Sequence, residues 1–262
     1  LGDPYYMVHN TLGGDDLIRI TPWRHLKEKG AIGLDYAVHM ADIVQYYMGE
    51  FDEIYGRGMI VEPVRRRPDS EASNLESYQT RFKTYPESIQ ATGEDSVIAM
   101  YRMSSGAMVA MAYISAGRGG TEFERSVHGR WGAIHAPGDR NGNPVILRLE
   151  GRELRGQDIL SLLPNFKMNE ITERLFGVDT VVYDLPHQPI DAKHMAIEFH
   201  DFGQAILQGG RPEVDGLHGT TAVAAVLGAY ESALAGRAVS IRELLSGEVR
   251  AYQEDIDEAL GL

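Results

Sequence analysis

Asp35 and His39 stand four positions apart inside the apolar segment Ile32 to Met48. On an α-helix, positions i and i+4 share a face, so the spacing predicts that carboxylate and imidazole meet. An unperturbed imidazole titrates near ~6.5, and a neighbouring carboxylate favours its charged form. Such a histidine is suited to trade a proton with a substrate hydroxyl or carbonyl. The alternative at this point is a solvated helix-surface pair worth a few tenths of a kcal/mol. Trp23 and Arg24 precede the segment, and a planar guanidinium beside a flat indole suits sugar recognition by hydrogen bonding and stacking; an ordinary salt bridge and a core tryptophan are the alternative. Tyr113 and Arg118 fall at the end of an expected strand, where a sheet-based pocket takes its polar contacts. His194, Glu198 and Asp201 share one face of a further helical segment and could take a divalent metal together with Asp35 or His39. A solvated face is the more ordinary role for such residues, and no metal site is expected.

These side chains need elements to position them. Ile32 to Met48 carries apolar residues at helical spacing and stops at Gly49, a common helix end. Tyr5 to His9 and Leu17 to Ile20 have the character of two edge strands separated by Gly13-Gly14-Asp15-Asp16. Ile54 to Val61 is a further strand, and Pro63 to Thr92 is a long polar insertion, uncommon unless functional or mobile. Val97 to Met103, a Ser-Ser-Gly turn and Met108 to Ser115 predict a hairpin. Ser126 to His135 and Val145 to Leu149 flank a turn at Asn141-Gly142-Asn143 and extend the sheet, whereas residues 151 to 190 are ambiguous. Asp191 to Leu207, with Asp191 as cap, and Thr220 to Leu234, ending at Gly236, predict two helices. Strands in one block with helices at either end give an α+β class: a large, mostly antiparallel open sheet with helices packed on one face. Residues 1–262 are expected to form a single domain with an insertion at about 63–92.

Composition narrows the partners. A chain of 262 residues with 43% hydrophobic and 24% charged content can bury a substantial core. The net charge of −13 argues against nucleic acid or an anionic membrane surface, and the run Arg65-Arg66-Arg67 is too short to reverse it. The absence of cysteine excludes a disulfide framework and suits a reducing cytoplasm. No apolar stretch approaches the ~20 residues needed to span a bilayer, and no signal peptide opens the chain.

The order Trp23-Arg24, Gly30, Gly33, Asp35-x-x-x-His39-x-x-Asp42 and Gly49 resembles the substrate-domain signature of the Gfo/Idh/MocA family of sugar oxidoreductases. Glu94 to Gly106 is similar to that family's paired central strands. Pro212-Glu-Val-Asp-Gly216-x-x-Gly219, Ala222 to Ala235 and Gly236-Arg237-x-Val239 resemble its closing helix and turn. The resemblance implies a sugar or polyol substrate, with His39 as acid/base, Asp35 orienting and charge-tuning it, and Arg24 helping to hold the sugar. It also implies NAD or NADP, bound mainly by a Rossmann domain that precedes this part of the family's chain, and a homo-oligomer joined through the sheet. The dinucleotide fingerprint is not found: Gly56-x-Gly58-x-x-Val61 and Gly117-x-Gly119-x-x-Glu122 lack its third glycine. The family's Glu-Lys-Pro motif is also missing. The same acid/base pair would serve a cofactor-independent lyase, epimerase or hydrolase on a keto-sugar, and a non-enzymatic carbohydrate- or partner-binding domain stays open as well.

Overall fold

The computed structural model describes residues 1–73 and 76–262. A first strand, β1 (Pro4–Leu12), leads through two short 3-10 turns at Pro22–His25 and Lys27–Lys29 to the helix α1 (Ile32–Met48). There follow β2 (Phe51–Met59), β3 (Val64–Arg66), α2 (Glu76–Phe82), β4 (Ser88–Gln90), β5 (Ser96–Met103) and β6 (Met108–Ile114). Next come β7 (Glu122–Gly129), β8 (Gly132–His135), β9 (Ile146–Leu149), β10 (Arg152–Arg155), α3 (Gln157–Leu160), α4 (Glu170–Phe176), α5 (His187–Gln208) and α6 (Gly216–Ala235). The chain closes with β11 (Val239–Ser240), α7 (Ile241–Leu245) and α8 (Ala251–Leu260). Among the described residues nine strands belong to the main sheet, and β3 and β4 form a separate ribbon. The class is α+β, as the blocks of strands and helices predict. By contact density the chain divides into two compact units, residues 1–7 with 124–219 and residues 8–123 with 220–262.

In the larger unit the strands run antiparallel in the order β6-β5-β2-β11. Alternation decides which face is buried. Val97, Ala99, Tyr101 and Met103 of β5 face the core, while Ile98 and Met100 point the other way. The core face is covered by α1, through Ala37, Met40, Ala41 and Val44, and by α6, through Ala225, Ala229 and Tyr230. A side chain at Gly56 would stand 2.7 Å from Ala229, so this glycine serves helix-on-sheet packing. The stretch 63–92, expected as an irregular insertion, instead holds β3, α2 and β4. Val64 pairs with Gln90 in the ribbon, and Phe82 and Tyr85 make a small core with Ile18; residues 74 and 75 of this stretch lie outside the described residues. Leu17 to Ile20 is not the expected strand: a single bridge from Leu17 to Arg66 is its only ladder contact among the described residues.

In the smaller unit the order is β10-β9-β8-β7, again antiparallel. The run Ser126 to His135, expected as one strand, folds back as the β7–β8 hairpin, with Gly129 opposite Gly132. Helix α5 starts at His187, ahead of the expected Asp191, because Pro186 takes the N-cap position. Asp191 instead accepts from Arg140 at 2.5 Å. The ambiguous stretch 151–190 resolves into β10, α3 and α4. Among the described residues no helix is long and apolar enough to cross a membrane.

Candidate active site

The first turn of α1 is pinned to the sheet by a residue without a side chain. Gly33 donates its N–H to the Glu94 carbonyl at 2.7 Å, and a Cβ at Gly33 would stand 2.7 Å from that same oxygen. This approach brings the next helical residues to the end of β6. There the Tyr36 ring stacks on the Tyr113 ring, with centroids 4.5 Å apart and planes 8° from parallel. From the 3-10 turn at Pro22–His25, Arg24 reaches the same place, and its Nη1 donates to the Asp35 carboxylate. Together with Gly14 and Arg19 these four side chains line an open cavity of about 290 Å³.

The geometry sorts the residues that sequence singled out. Arg24, Asp35 and Tyr113 come together at the cavity. Asp35 and His39 lie one turn apart on α1, yet the carboxylate is engaged by Arg24 and no hydrogen bond joins it to His39. His39 is exposed and meets the edge of Tyr36 at 6.4 Å, beside the cavity. Trp23 is 48% exposed, and the Arg24 guanidinium lies 5.4 Å from its ring centre. Tyr113 is buried, and burial pushes its phenol up to about 12, so it is a protonated donor at neutral pH. Arg118 is elsewhere: past the end of β6 it pairs with Glu62 at 2.7 Å and with Asp16 at 3.3 Å, and it does not line the cavity. Asp16 is also gripped by Arg66, which holds its carboxyl down at about 2.

The sequence model of the GFO/IDH/MocA C-terminal domain matches residues 1–135, more than half of the chain and all of the cavity. The chain belongs to the GFO/IDH/MocA family. Curated protein sequences provide no match to it. Solved structures of similar fold include an oxidoreductase from Agrobacterium radiobacter in complex with NAD+, L-tartaric acid and magnesium, at 17% identity and a TM-score of 0.63, covering 93% of this chain and 58% of that one. Levoglucosan dehydrogenase in complex with NADH and L-sorbose aligns at 18% identity with a TM-score of 0.60, covering 93% and 60%. An oxidoreductase domain protein from Kribbella flavida aligns at 17% identity with a TM-score of 0.65, covering 92% and 59%. At these identities the likeness is one of fold. This GFO/IDH/MocA chain spans about three-fifths of the solved chains it resembles.

Three residues of this GFO/IDH/MocA domain escaped sequence reasoning. Tyr36, between Asp35 and the rest of the helix, forms one wall of the cavity. Arg19 lines it from a segment expected as a strand. His25, next to Arg24, is fully buried and its Nε2 accepts the Arg19 N–H at 2.9 Å. Burial, with the Arg65 guanidinium adding to it, lowers this imidazole to about 4, which keeps it neutral. Adjacency to Arg24 and Asp35 was the available signal for His25 and Tyr36; Arg19 carried none. Among the described residues no three His, Asp or Glu side chains are grouped to hold a metal ion. His194 packs against the Phe176 ring at 6.1 Å, and Asp201 accepts from the Glu213 N–H at 2.8 Å.

Proposed function

We propose that this chain is the substrate-binding and proton-handling part of a nicotinamide-dependent oxidoreductase acting on a sugar, sugar derivative or other polyol. One observation carries the reading: in a GFO/IDH/MocA domain, the Arg24–Asp35 pair and the stacked Tyr36–Tyr113 rings face one cavity, one helical turn from His39. Ion-paired guanidinium and carboxylate offer donors and acceptors side by side, which matches adjacent hydroxyls, and an aromatic wall matches the C–H face of a sugar. The named ligands of the similar structures, L-tartaric acid and L-sorbose, are polyhydroxylated and support this class. His39 takes the proton of the hydroxyl undergoing oxidation and returns it in the reverse direction. Arg24 and Asp35 hold that hydroxyl and its neighbour, and protonated Tyr113 donates from the cavity wall. A bound nicotinamide supplies the hydride acceptor.

The two glycine runs nearest to a dinucleotide fingerprint, at Gly56 and at Gly117, are already engaged by the chain itself. Gly56 is covered by Ala229 of α6, and Gly117 donates its N–H to the Gly13 carbonyl. The reading therefore assigns the dinucleotide mainly to protein outside the described residues, and substrate and proton to this chain. Two measurements test it. Levoglucosan, L-sorbose or L-tartrate titrated into the chain is expected to shift the ring resonances of Tyr36 and Tyr113, and Arg24→Met to abolish the shift. In the intact oxidoreductase, His39→Asn is expected to lose ~10²-fold or more in turnover. Wild-type turnover in a folded His39→Asn protein sinks the acid/base assignment.

A further inference from the structure

One wall of the cavity is built on a strained turn. Ile20 has φ of +58°, a left-handed conformation that a β-branched side chain seldom adopts. The Thr21 N–H donates to the Arg19 carbonyl at 2.6 Å across it, closing a three-residue turn of the rarer, strained hand. Such a turn persists only where its surroundings over-determine it. Two buried side chains do so here. His25 Nε2 accepts the N–H of Arg19 at 2.9 Å, and the Tyr85 hydroxyl donates to the carbonyl of Ile20. Each holder is itself fixed. The His25 carbonyl accepts from the N–H groups of Thr92 and Gly93 at 2.9 and 3.0 Å, and Tyr85 packs with Phe82 against Ile18.

The same stretch, 63–92, grips the chain just ahead of the turn. Arg65 Nη1 donates to the Asp15 carbonyl at 2.7 Å, the Arg66 N–H to the Asp16 carbonyl at 2.8 Å, and the Ile18 N–H to the Arg66 carbonyl at 2.8 Å. The turn presents Arg19 and Ile20 to the cavity that Arg24 and Asp35 line. We propose that His25 and Tyr85 are positioning residues for this cavity: by holding the turn at Ile20 they set where Arg19 stands, and with it the affinity for a polyhydroxylated ligand. The affinity half rests on the substrate reading given above; the turn half does not. Only an imidazole unprotonated at Nε2 can accept from Arg19. The charged groups facing His25 are Arg65, Arg19 and Asp95, and the lowered titration near 4 agrees with that state.

The experiment compares His25→Leu, His25→Gln and Tyr85→Phe with the wild-type chain. Glutamine keeps an acceptor close to the place of Nε2; leucine keeps only bulk. Amide exchange at Arg19 is expected to quicken about 10- to 100-fold in His25→Leu, as for a lost buried hydrogen bond, and to stay within about 3-fold of wild type in His25→Gln. The wild-type ¹⁵N spectrum is expected to show an unprotonated Nε2 at neutral pH. For the ligand half, the dissociation constant for levoglucosan is expected to rise about 10-fold in His25→Leu and in Tyr85→Phe and to recover in His25→Gln. Unchanged Arg19 exchange in a folded His25→Leu chain, or a protonated Nε2 in the wild type, overturns the proposal. Faster exchange with unchanged affinity overturns the positioning role. A wild-type cavity indifferent to levoglucosan, L-sorbose and L-tartrate alike is instead a failure of the substrate reading, and the exchange data still accept or reject the two residues as holders of the turn.

Discussion

Arg65 and Asp95 meet at 2.6 Å with their side chains sealed from water, 0% and 1% exposed. The carboxylate also accepts from the N–H groups of Val61 and Glu62 and from the Ser96 hydroxyl, while the guanidinium reaches the Asp15 carbonyl. The pair thus ties the 63–92 stretch to the start of β5. Removing one partner strands a charge in the interior, which costs about 3–5 kcal/mol, whereas removing both strands none. Arg65→Met is therefore expected to lose several kcal/mol in urea unfolding at neutral pH, and Arg65→Met with Asp95→Asn to regain part of it. A single variant as stable as wild type shows that water reaches the pair.

The pH dependence of stability follows from His25. Its ordinary value of 6.5 drops to about 4 in the folded chain, first through burial and then through Arg65. Between those two values the unfolded chain binds a proton that the folded chain refuses. Stability is complete above pH 6.5, declines as the pH falls, and stops declining on this account near 4. Asp16 acts lower: held at about 2 against an ordinary 3.8 by Arg66, it contributes above 3.8 and is lost as the pH falls through 2. Urea midpoints across the upper window are expected to fall more steeply for wild type than for His25→Gln. Parallel curves would place the acid sensitivity on other groups.

Gly33 makes a steric prediction about the site. An added methyl would press on the Glu94 carbonyl at 2.7 Å and on the Tyr230 hydroxyl at 2.9 Å. Neither the backbone that leads into β5 nor a buried ring yields cheaply, so Gly33→Ala is expected to cost about 1–3 kcal/mol. Because Asp35 and Tyr36 follow within the same turn, the tilt of α1 is expected to weaken levoglucosan binding as well. Loss of stability with unchanged binding would separate the helix start from the cavity.

Period and punctuation made the scaffold legible. Alternation along Val97 to Met103 marked both faces of β5, and apolar residues at helical spacing ending in Gly49 marked α1. Tyr113 was marked by its place at a strand end, whereas only the resemblance put Arg24 and Asp35 at one site, since nothing local draws Arg24 to a carboxylate eleven residues on. What stayed hidden is long-range. Arg118 pairs with Glu62, fifty-six positions away, and nothing in its neighbourhood marks that carboxylate as its partner. Arg65 belongs to a basic run whose usual place is solvent, yet it is buried because Asp95 and the Asp15 carbonyl meet it. The turn at Ile20 defied local rules altogether, since propensity argues for strand at Leu17 to Ile20 and tertiary hydrogen bonds from His25 and Tyr85 override it.

The outward face of the larger unit's sheet predicts self-association. Ile98 and Met100 of β5 are 44% and 40% exposed, and Tyr55 of β2 is 59% exposed. Register joins them into two cross-strand rows: Tyr55 opposite Met100 opposite Ala110, and Arg57 opposite Ile98 opposite Ala112. A strand apolar on both sides expects burial on both, and helices α1 and α6 cover only the core face. The occupant expected is a second copy, because a twofold axis can set the apolar row Tyr55, Met100 and Ala110 against its own equivalent. Sedimentation at micromolar concentration is expected to show at least a dimer. Ile98→Lys with Met100→Lys is expected to give a soluble monomer with nearly unchanged thermal stability, since neither side chain packs in the core. A wild-type chain that stays monomeric at high concentration would show that these rows are tolerated in water, and the oligomer would have to be sought at another surface.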